Sequence, residues 1–547
     1  MNFRDQWLSI GAFGGVCAAG LIGAFIGLGV SSFWYDELYT AWVAGTDSSL
    51  ADVVRRATTD VHPPLYYFSI FGFSKIAGTS DEAMRLFSTI WATAAIVLFI
   101  IATGRAFSLP ARLFGAALAT VSNFWFYQAQ NARFYSLGFF IATAILAISI
   151  VLLKPRDLQE QQAKWRIALL FGLMLFASFM HFYLMYLSLA VLIVIALLEP
   201  RLRVVMGVFA LTLITLVSLY LKIVIGTYAQ FRIEHSWMGS GFSWYLYQLN
   251  AARQLMVNKW TLLALAICAG AWLVGLVLRR GAPQSEPPPT ASRTLVVLGP
   301  LQLRIDPVAA LVFGVPLIIL GGGIVSSILL SPNFQDRNFL VCAPFLWGAF
   351  AKFYDAGVGA LQPRPRLLAN AALALAVLAA SPIVLGRTLP RNTAVREVAQ
   401  RILDFKSCKG QIVPVVDGTS TEWTKPGYLE TITPAVFGRY LAGFAVPTHL
   451  YRTYLAENRL PAELRSEIQR RIDGQGCPVL LWYGHRGPAS NIPIATSELL
   501  AAVDRPQAAP AVRSEFFSAY NYGLDRSRSE FGIFILYVDR AAKPAGG

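Results

Sequence analysis

Residues 7–30 read WLSIGAFGGVCAAGLIGAFIGLGV, and they are followed at 31–42 by the aromatic and acidic segment SSFWYDELYTAW. A helix that crosses the hydrocarbon core of a bilayer, about 30 Å thick, needs about 20 apolar residues. The run 7–30 meets that length and contains no charged residue. It is too long for the apolar part of a secretory signal peptide and lacks a clear cleavage site, so it predicts a first transmembrane helix.

Apolar runs of this kind recur along the chain, which is 55% hydrophobic and 14% charged. This composition is typical of membrane proteins, and the length criterion predicts an α-helical polytopic membrane protein with about eleven transmembrane helices over residues 1–386. The expected spans are 7–30, 87–105, 110–127, 135–153, 167–181, 184–198, 204–226, 260–278, 307–330, 339–354 and 368–386. The segment 62–78 is short and begins with two prolines after His62, so we interpret it as a helix in the outer interface.

Charge predicts the orientation of these spans. The formal net charge is +15, and many of the basic residues lie in short loops between apolar runs, as the positive-inside rule expects for cytoplasmic loops. The membrane explains this charge, and no nucleic-acid partner is expected. The N-terminus is then cytoplasmic, and residues 31–86 form the first external loop. An odd number of spans puts the C-terminal region outside, in the periplasm if the membrane is a bacterial inner membrane.

From about residue 387 the composition becomes more charged, and patterns of both helix and strand appear. Residues 394–405 and 462–472 have helical patterns, whereas 411–416, 478–484 and 532–538 resemble strands. The sequence therefore predicts a soluble α/β domain over 387–547. The proline-rich stretch 281–293 is typical of a flexible linker.

The five cysteines show no CxxC spacing and no pairing with histidines that would indicate a zinc site. Cys17, Cys268 and Cys342 lie in apolar runs and are expected to be packing residues. Cys408 and Cys477 each precede a strand-like run, so a disulfide between them is one of two open possibilities.

Adjacent acids at Asp36 and Glu37 follow the first predicted span and are flanked by Trp34, Tyr35 and Tyr39. A hydroxyl or amine acceptor is a poor nucleophile until a base removes its proton, and a carboxylate in an aromatic, partly dehydrated place is a suitable base. These acids are therefore candidates for catalysis. The alternative is an interfacial loop whose acids stay in water.

Other polar residues are expected on the same external side, although they are distant in sequence. Arginines are unusual at the outer edge of a membrane, and their planar forks suit phosphate oxygens. Each of these residues also has a structural interpretation, such as an arginine that reaches lipid headgroups or a histidine satisfied by a backbone carbonyl. The set consists of Asp60, His62, Arg133, His181, Asp336 and Arg337.

Several short motifs occur in a defined order: WYDELYT (34–40), DVHPPLYY (60–67), DEAMRLF (81–87), QNARFYS (130–136), HFY (181–183) and DRNFLVCAPF (336–345). This order resembles that of the GT-C membrane glycosyltransferases, in particular the branch with protein O-mannosyltransferases and the lipid A aminoarabinose transferase. The resemblance covers about residues 5–355. It implies an inverting enzyme that takes a sugar from a polyprenyl-phosphate carrier and works on the outer face of the bacterial inner membrane.

The resemblance also implies roles for single residues. Asp36 matches the catalytic position, with Glu37 assisting it. Arg85, Arg133 and Arg337 become candidates for binding the carrier phosphate. The expected donor or acceptor pocket consists of Tyr35, Asp60, His62, Tyr66, Gln130, Tyr135 and His181.

Two positions depart from the family pattern. Asn131 stands where many relatives have an acid, and Phe339 stands where a tyrosine is usual. The expected partners are a polyprenyl-phosphate-linked sugar, membrane lipids and an envelope acceptor that is a lipid, a glycan or a protein. No metal site is predicted, and a divalent metal remains possible as a cofactor.

Three competing interpretations share the membrane architecture. An oligosaccharide ligase or polymerase would also use a lipid-linked donor but would move longer glycans. A transporter or lipid flippase would place ionisable residues near mid-membrane in broken helices, often within a two-fold repeat, and the sequence shows no internal repeat. A non-catalytic membrane scaffold with a sensory domain is the third.

Overall fold

The computed structural model describes residues 3–45, 48–58, 62–153, 160–225, 241–280, 293–296, 302–329, 332–381, 395–405, 412–417, 439–441, 451–453, 462–472, 478–485, 497, 510–520 and 528–538. The chain divides into two compact units. The helical unit comprises the described residues of 3–28 and 48–381, and the sheet unit comprises 29–45 with the described residues of 395–538. The segment that carries Asp36 therefore belongs to the sheet unit.

The helical unit is built of helices of very different lengths. They are α1 (Phe3–Ala24), α3 (Leu50–Ala57), α4 (Leu65–Ala77), α5 (Asp81–Ala102), α6 (Leu109–Thr120), α7 (Asn123–Ala129), α8 (Tyr135–Leu153), α9 (Glu160–Ser178), α10 (Phe182–Leu198), α11 (Arg203–Ile225), α12 (Phe242–Met256), α13 (Lys259–Arg280), α14 (Pro307–Leu329), α15 (Asp336–Phe339), α16 (Ala343–Ala356) and α17 (Pro363–Ala380). Helix α2 (Tyr35–Val43) lies in the sheet unit.

Five helices in the described part of the chain are long and apolar enough to cross a membrane. They are Asp81–Ala102, Tyr135–Leu153, Pro200–Lys222, Lys259–Val277 and Pro307–Leu329, with shorter apolar helices at Ser9–Ala24 and Phe182–Leu198. A helix overlaps each of the eleven predicted ranges. The number of spans remains a prediction, because several of these helices are shorter than a bilayer requires.

Helix α11 shows why a membrane is needed as the solvent. Val204, Val208, Leu211 and Leu219 are each more than half exposed. In water, a run of exposed large apolar side chains along one helix would be unfavourable by about 25 cal/mol for each Å² of apolar surface. Lipid tails are as apolar as leucine, so the same surface is stable inside a bilayer. The chain is a multi-pass membrane protein of predominantly helical fold.

The first helix ends earlier than the sequence predicted. The expected span 7–30 is helical from Phe3 to Ala24, and Gly27 then adopts φ +76°, in the left-handed region that favours glycine. The apolar run continues beyond the helix, so its length alone gave the wrong end point. Because the helix stops here, its last carbonyl groups need other donors.

The predicted span 110–127 is also interrupted. Helix α6 ends at Thr120, and α7 begins at Asn123. Ser122 is the N-cap of α7, because its Oγ accepts the backbone N–H of Trp125 at 3.2 Å. A serine N-cap satisfies one of the unpaired donors at a helix start, and here this local preference divides a continuous apolar run.

Close backbone approaches pack the helices around α6. A Cβ on Gly20 of α1 would lie 2.7 Å from the Thr120 Cβ, and a Cβ on Gly115 would lie 2.6 Å from the Trp347 carbonyl oxygen. Small residues at helix contacts are typical of membrane bundles, in which packing drives association. This packing sets α1 against α6, so the end of α1 has a defined position in the helical unit.

The sheet unit contains a five-stranded sheet. Its strands are β3 (Ile412–Asp417), β4 (Tyr451–Thr453), β5 (Val479–His485), β6 (Pro510–Tyr520) and β7 (Arg528–Val538), and its helices include α18 (Val395–Leu403) and α19 (Ala462–Ile472). The strand order is β4-β3-β5-β7-β6, with parallel pairs from β4 to β5 and antiparallel pairs from β5 to β6. The predicted helices and three predicted strands occur near their expected positions, whereas β4 and β6 were not predicted.

A short antiparallel hairpin in the helical unit was also missed. It pairs β1 (Arg293–Val296) with β2 (Gln302–Ile305). Apart from Arg293, where β1 begins, the predicted linker 281–293 lies outside the described residues. Cys17, Cys268 and Cys342 are buried free cysteines, and Cys408 and Cys477 lie outside the described residues.

Candidate functional site

Helix α2 carries the two adjacent acids in its first turn. The Glu37 side chain is buried, and its Oε2 accepts the backbone N–H of Trp34, the N-cap residue, at 3.3 Å. An acid at the third helical position that reaches back to the N-cap N–H is half of a capping box. Asp36 is half-buried. Glu37 therefore fixes the start of the helix, and Asp36 is the more accessible acid of the pair.

Two histidines from separate parts of the helical unit stack on one another. His62 precedes α4, and His181 lies in the turn between α9 and α10. Their ring centroids are 5.1 Å apart, and the Phe134 ring lies 4.0 Å from the His181 ring on centroids. The backbone N–H of Leu65 donates to the Phe179 carbonyl at 3.1 Å. This bond ties the start of α4 to the turn after α9, which brings the histidines together.

His181 is buried and is held as a neutral ring. Its Nδ1 accepts the backbone N–H of Tyr183 at 3.2 Å, so the proton of the neutral imidazole is on Nε2. Burial lowers the pKa of His181 well below its ordinary value, and the charges of His62, Arg133 and Arg337 lower it further. At neutral pH the residue can therefore donate a hydrogen bond from Nε2 without carrying a charge.

Arg133 lies in the turn between α7 and α8 and is buried. Its Nη1 donates to the Tyr67 hydroxyl at 3.3 Å. The Ser136 hydroxyl donates to the Gln128 carbonyl at 2.6 Å. This hydrogen bond closes the turn that contains Arg133. Because Arg133 acts on the His181 pKa, its charge lies within electrostatic reach of the histidine stack.

Arg337 belongs to the short helix α15 between α14 and α16. Its Nε donates to the Gln335 side-chain oxygen at 3.2 Å, and its backbone N–H donates to Asp336 Oδ1 at 2.7 Å. Burial raises the pKa of Asp336, while the N–H and the charge of Arg337 act in the opposite direction. Arg337 also acts on the pKa of His181, so it completes a group that we call the His–Arg cluster, formed by His62, Arg133, His181 and Arg337.

Side chains from α10 and α12 hold the segment before Arg337. The Tyr183 hydroxyl donates to Asn333 Oδ1 at 3.0 Å, and the Trp244 Nε1–H donates to the Phe334 carbonyl at 3.1 Å. Gln248 Oε1 accepts the backbone N–H of Asp336 at 2.9 Å. These bonds connect two helices to one loop, so Arg337 is presented from a supported segment.

Arg85 and Gln130 have a different environment, at the carboxyl end of α1. Arg85 is buried, and its Nη1 donates to the Leu28 carbonyl at 2.7 Å. Gln130 Nε2 donates to the carbonyls of Ala24 and Ile26 at 3.0 and 2.8 Å. Gln130 therefore supplies a donor to the last carbonyl of α1, and both side chains bind carbonyl groups of the turns that follow the helix.

The remaining predicted site residues divide into packed and undescribed ones. Tyr66 and Tyr135 are buried, and Tyr135 packs on Phe134 with ring centroids 4.1 Å apart. Asp60 and the Tyr35 side chain lie outside the described residues. Among the residues that the structure describes, no three His, Cys, Asp or Glu side chains gather as metal ligands.

Sequence reasoning missed several supporting residues. Tyr67, Gln335 and Asn333 lie inside or beside quoted motifs, so their polar side chains between apolar runs were a usable signal. Gln248 and Trp244 had no such signal. Their contribution depends on α12 packing beside the segment 333–336, and no sequence spacing indicates that contact.

Comparison with known proteins identifies the fold. No protein-family model matches the chain, and no curated protein matches its sequence. The structure is similar to that of ArnT from Cupriavidus metallidurans in the apo state, with a TM-score of 0.53 and 13% identity, over 94% of this chain and 97% of ArnT. The same protein bound to undecaprenyl phosphate gives a TM-score of 0.50 and 12% identity, over 98% and 99% of the chains. ArnT is a lipid A aminoarabinose transferase of the GT-C family. The resemblance predicted from the motifs is therefore confirmed for the fold.

Proposed function

We propose that this protein is an inverting membrane glycosyltransferase that moves a sugar from a polyprenyl-phosphate carrier to a cell-envelope acceptor on the periplasmic face. The observation that carries the proposal is the His–Arg cluster. Four separate segments of the helical unit supply two buried or half-buried arginines and two histidines, and the arginines and His62 act electrostatically on the buried His181. The fold is similar to that of a protein whose structure was determined with bound undecaprenyl phosphate.

The cluster is suited to a phosphate leaving group. Arg133 and Arg337 are cations whose planar forks match phosphate oxygens, and His181 offers a neutral N–H donor. Donors that are already oriented in a place sheltered from water stabilise developing negative charge more strongly than water does. We assign carrier-phosphate binding to Arg133 and Arg337 in preference to Arg85, because the described hydrogen bond of Arg85 goes to the end of α1.

The chemistry is a single displacement at the anomeric carbon. Asp36 accepts the proton of the acceptor hydroxyl or amine as its oxygen or nitrogen forms a bond to the anomeric carbon from the face opposite the phosphate. The bond between that carbon and the phosphate oxygen breaks, and its electron pair leaves with the polyprenyl phosphate. That anion is neutralised by the arginines, so no general acid is needed. Glu37 keeps Asp36 in place by capping α2.

The membrane setting follows from the carrier. A polyprenyl tail stays in the hydrocarbon layer, so the reacting phosphate has to lie at the edge of the bilayer. In this proposal the protein has a cytoplasmic N-terminus, and the sheet unit, which includes the predicted 387–547 domain, is periplasmic and takes part in acceptor choice.

The proposal is tested with purified, detergent-solubilised protein and the polyprenyl-phosphate-linked sugar identified by mass spectrometry of the copurified lipid. Asp36→Asn removes the base and keeps the size of the side chain, and we expect transfer to fall at least about 1000-fold. Asp404→Asn is the matched control, because the Asp404 carboxylate is 59% exposed and pairs with Arg401 on the protein surface. Wild-type transfer that persists in a folded Asp36→Asn protein would exclude Asp36 as the base. Loss of carrier-lipid balance without any transferase activity in the wild type would favour a transporter.

A further inference from the structure

We propose that the sheet unit positions the catalytic acid, with Tyr440 and Ser32 as positioning residues. This inference rests on the proposed function of Asp36. It gives the C-terminal part of the chain a task in the chemical step, in addition to any role in acceptor choice. The evidence lies within the sheet unit, which contains both α2 and the described residues from 395 onwards.

The first contact is made by Tyr440. Its hydroxyl oxygen accepts the backbone N–H of Phe33 at 2.9 Å, across 407 positions of sequence. The neighbouring Arg439 guanidinium lies 4.5 Å from the centroid of the Phe33 ring, in a cation–π contact. Phe33 is fully buried. Both the backbone and the ring of this residue are therefore fixed by one short segment of the C-terminal part.

The second contact is made at the start of α18. The Ser32 hydroxyl oxygen accepts the backbone N–H of Val395 at 3.2 Å, and Arg396 Nη2 donates to the Val30 carbonyl at 2.7 Å. The first N–H groups of a helix have no partner within the helix, so Ser32 satisfies one of them from outside. Ser32 and Val395 are both buried, which excludes water from this bond.

Helix α18 is itself anchored to the sheet, so these contacts are not to a free segment. Arg401 donates from Nε and Nη2 to the two carboxylate oxygens of Glu515 on β6, at 2.6 and 3.0 Å. A bidentate pair of this kind defines orientation as well as distance. The Arg401 bonds hold the pKa of Glu515 below its ordinary value, in agreement with a carboxylate that stays charged.

The residues held by these contacts lie shortly before Asp36 in the sequence. Val30, Ser32 and Phe33 are held by the C-terminal part, Trp34 is the N-cap of α2, and Asp36 is in the first turn. A helix start that is fixed on three preceding residues has a fixed direction, and the direction of the first turn sets where the carboxylate points. General-base catalysis needs the base within hydrogen-bond reach of its proton, and a displacement of about 1 Å is enough to reduce rates about 100-fold.

The test uses the full-length protein in the transfer assay. Tyr440→Phe removes the acceptor of the Phe33 N–H and keeps the ring, and Ser32→Ala removes the acceptor of the Val395 N–H. We expect each variant to lower kcat per folded molecule about tenfold, with the KM for the lipid-linked donor unchanged. Ser32→Thr restores a hydroxyl at position 32 and is expected to recover most of the lost kcat. Glu467→Gln is the matched control, because its partners Arg470 and Arg471 lie on its own helix, α19.

The outcomes separate this inference from the proposed function. If the wild type transfers sugar and Asp36→Asn does not, while Tyr440→Phe and Ser32→Ala keep the wild-type kcat, the positioning role is wrong and the base assignment stands. If the two variants only reduce the yield of folded protein, or if Glu467→Gln lowers kcat equally, the contacts are structural and the inference is overturned. If the wild type shows no transfer, the proposed function fails first.

Discussion

Two polar regions of the helical unit each contain a buried arginine, Arg133 in the His–Arg cluster and Arg85 near the end of α1, and the two arginines have different surroundings. In the His–Arg cluster, burial and the charges of His62, Arg133 and Arg337 together disfavour protonation of His181. At the carboxyl end of α1, Arg85 and Gln130 donate to backbone carbonyls. In the proposed function the first region binds the carrier phosphate, whereas the second binds backbone carbonyls at and after the end of α1.

Whether a buried arginine indicates a functional site depends on the groups that surround its guanidinium. A carbonyl at a helix end is a fixed structural need, and a guanidinium that meets it contributes to stability. Positive charges of arginines that act on a buried histidine disfavour protonation of that histidine, and a bound anion would offset this effect. Such an arrangement is expected where an anion binds.

Of these two regions, the cluster is expected to give the larger effect. Arg337→Gln or Arg133→Gln removes a cation from the proposed phosphate site, and we expect kcat/KM for sugar transfer to fall about 100-fold or more, which corresponds to about 3 kcal/mol of transition-state stabilisation. Lysine variants keep the charge and lose the fork, so they should fall between these and the wild type. Initial rates at several donor concentrations provide the measurement.

The control for this prediction is Arg253→Gln. Arg253 is an exposed arginine of α12 that bonds Asn250 on the same helix. It should keep the wild-type rate. Equal losses in the control and the cluster variants would show that net charge, and not the cluster, controls donor binding.

A smaller effect of a different kind is expected at the end of α1. Arg85→Met removes the donor to the Leu28 carbonyl and leaves that group unsatisfied, which costs about 2 kcal/mol of folding free energy. The apparent Tm in detergent should fall, whereas kcat per folded molecule should stay within about twofold of the wild type. Arg105→Met is the control, because Arg105 is exposed. A loss of turnover that exceeds the loss of folded protein would instead indicate that Arg85 binds the carrier phosphate.

Much of this fold was predictable because its signals are local. Helix positions follow from the lengths of apolar runs, and the candidates Asp36, His62 and Arg133 follow from polar motifs between them. The end of α1 was not predictable from length, because the apolar run continues to Val30 and the helix stops at Ala24. The uses of Arg85 and Gln130 depend on that end point, so they could not be foreseen either.

The grouping of residues 29–45 with the C-terminal part could also not be predicted from the sequence. It depends on contacts such as that between Phe33 and Tyr440, which are separated by most of the chain. A boundary near residue 387 is visible as a change of composition. A contact between residues on opposite sides of that boundary leaves no periodic pattern in either segment.

The smallest expected effect distinguishes the two regions by pH. The folded pKa of His181 is lowered below its ordinary value of 6.5, so below that pH the unfolded chain binds a proton that the folded protein does not. The unfolded state is then favoured as the pH falls, by about 1 kcal/mol between pH 7.5 and pH 5.5.

His181→Asn keeps an oxygen that can cap α10 and removes the titration. The apparent Tm of the wild type should therefore fall more steeply than that of His181→Asn over this range, by a few degrees, while Arg85→Met should follow the wild-type slope. Parallel curves for wild type and His181→Asn would mean that His181 takes up its proton in the folded state as readily as in the unfolded one. Neither burial nor the charges of His62 and the arginines would then disfavour that proton, and the distinction between the cluster and the helix end would lose its electrostatic basis.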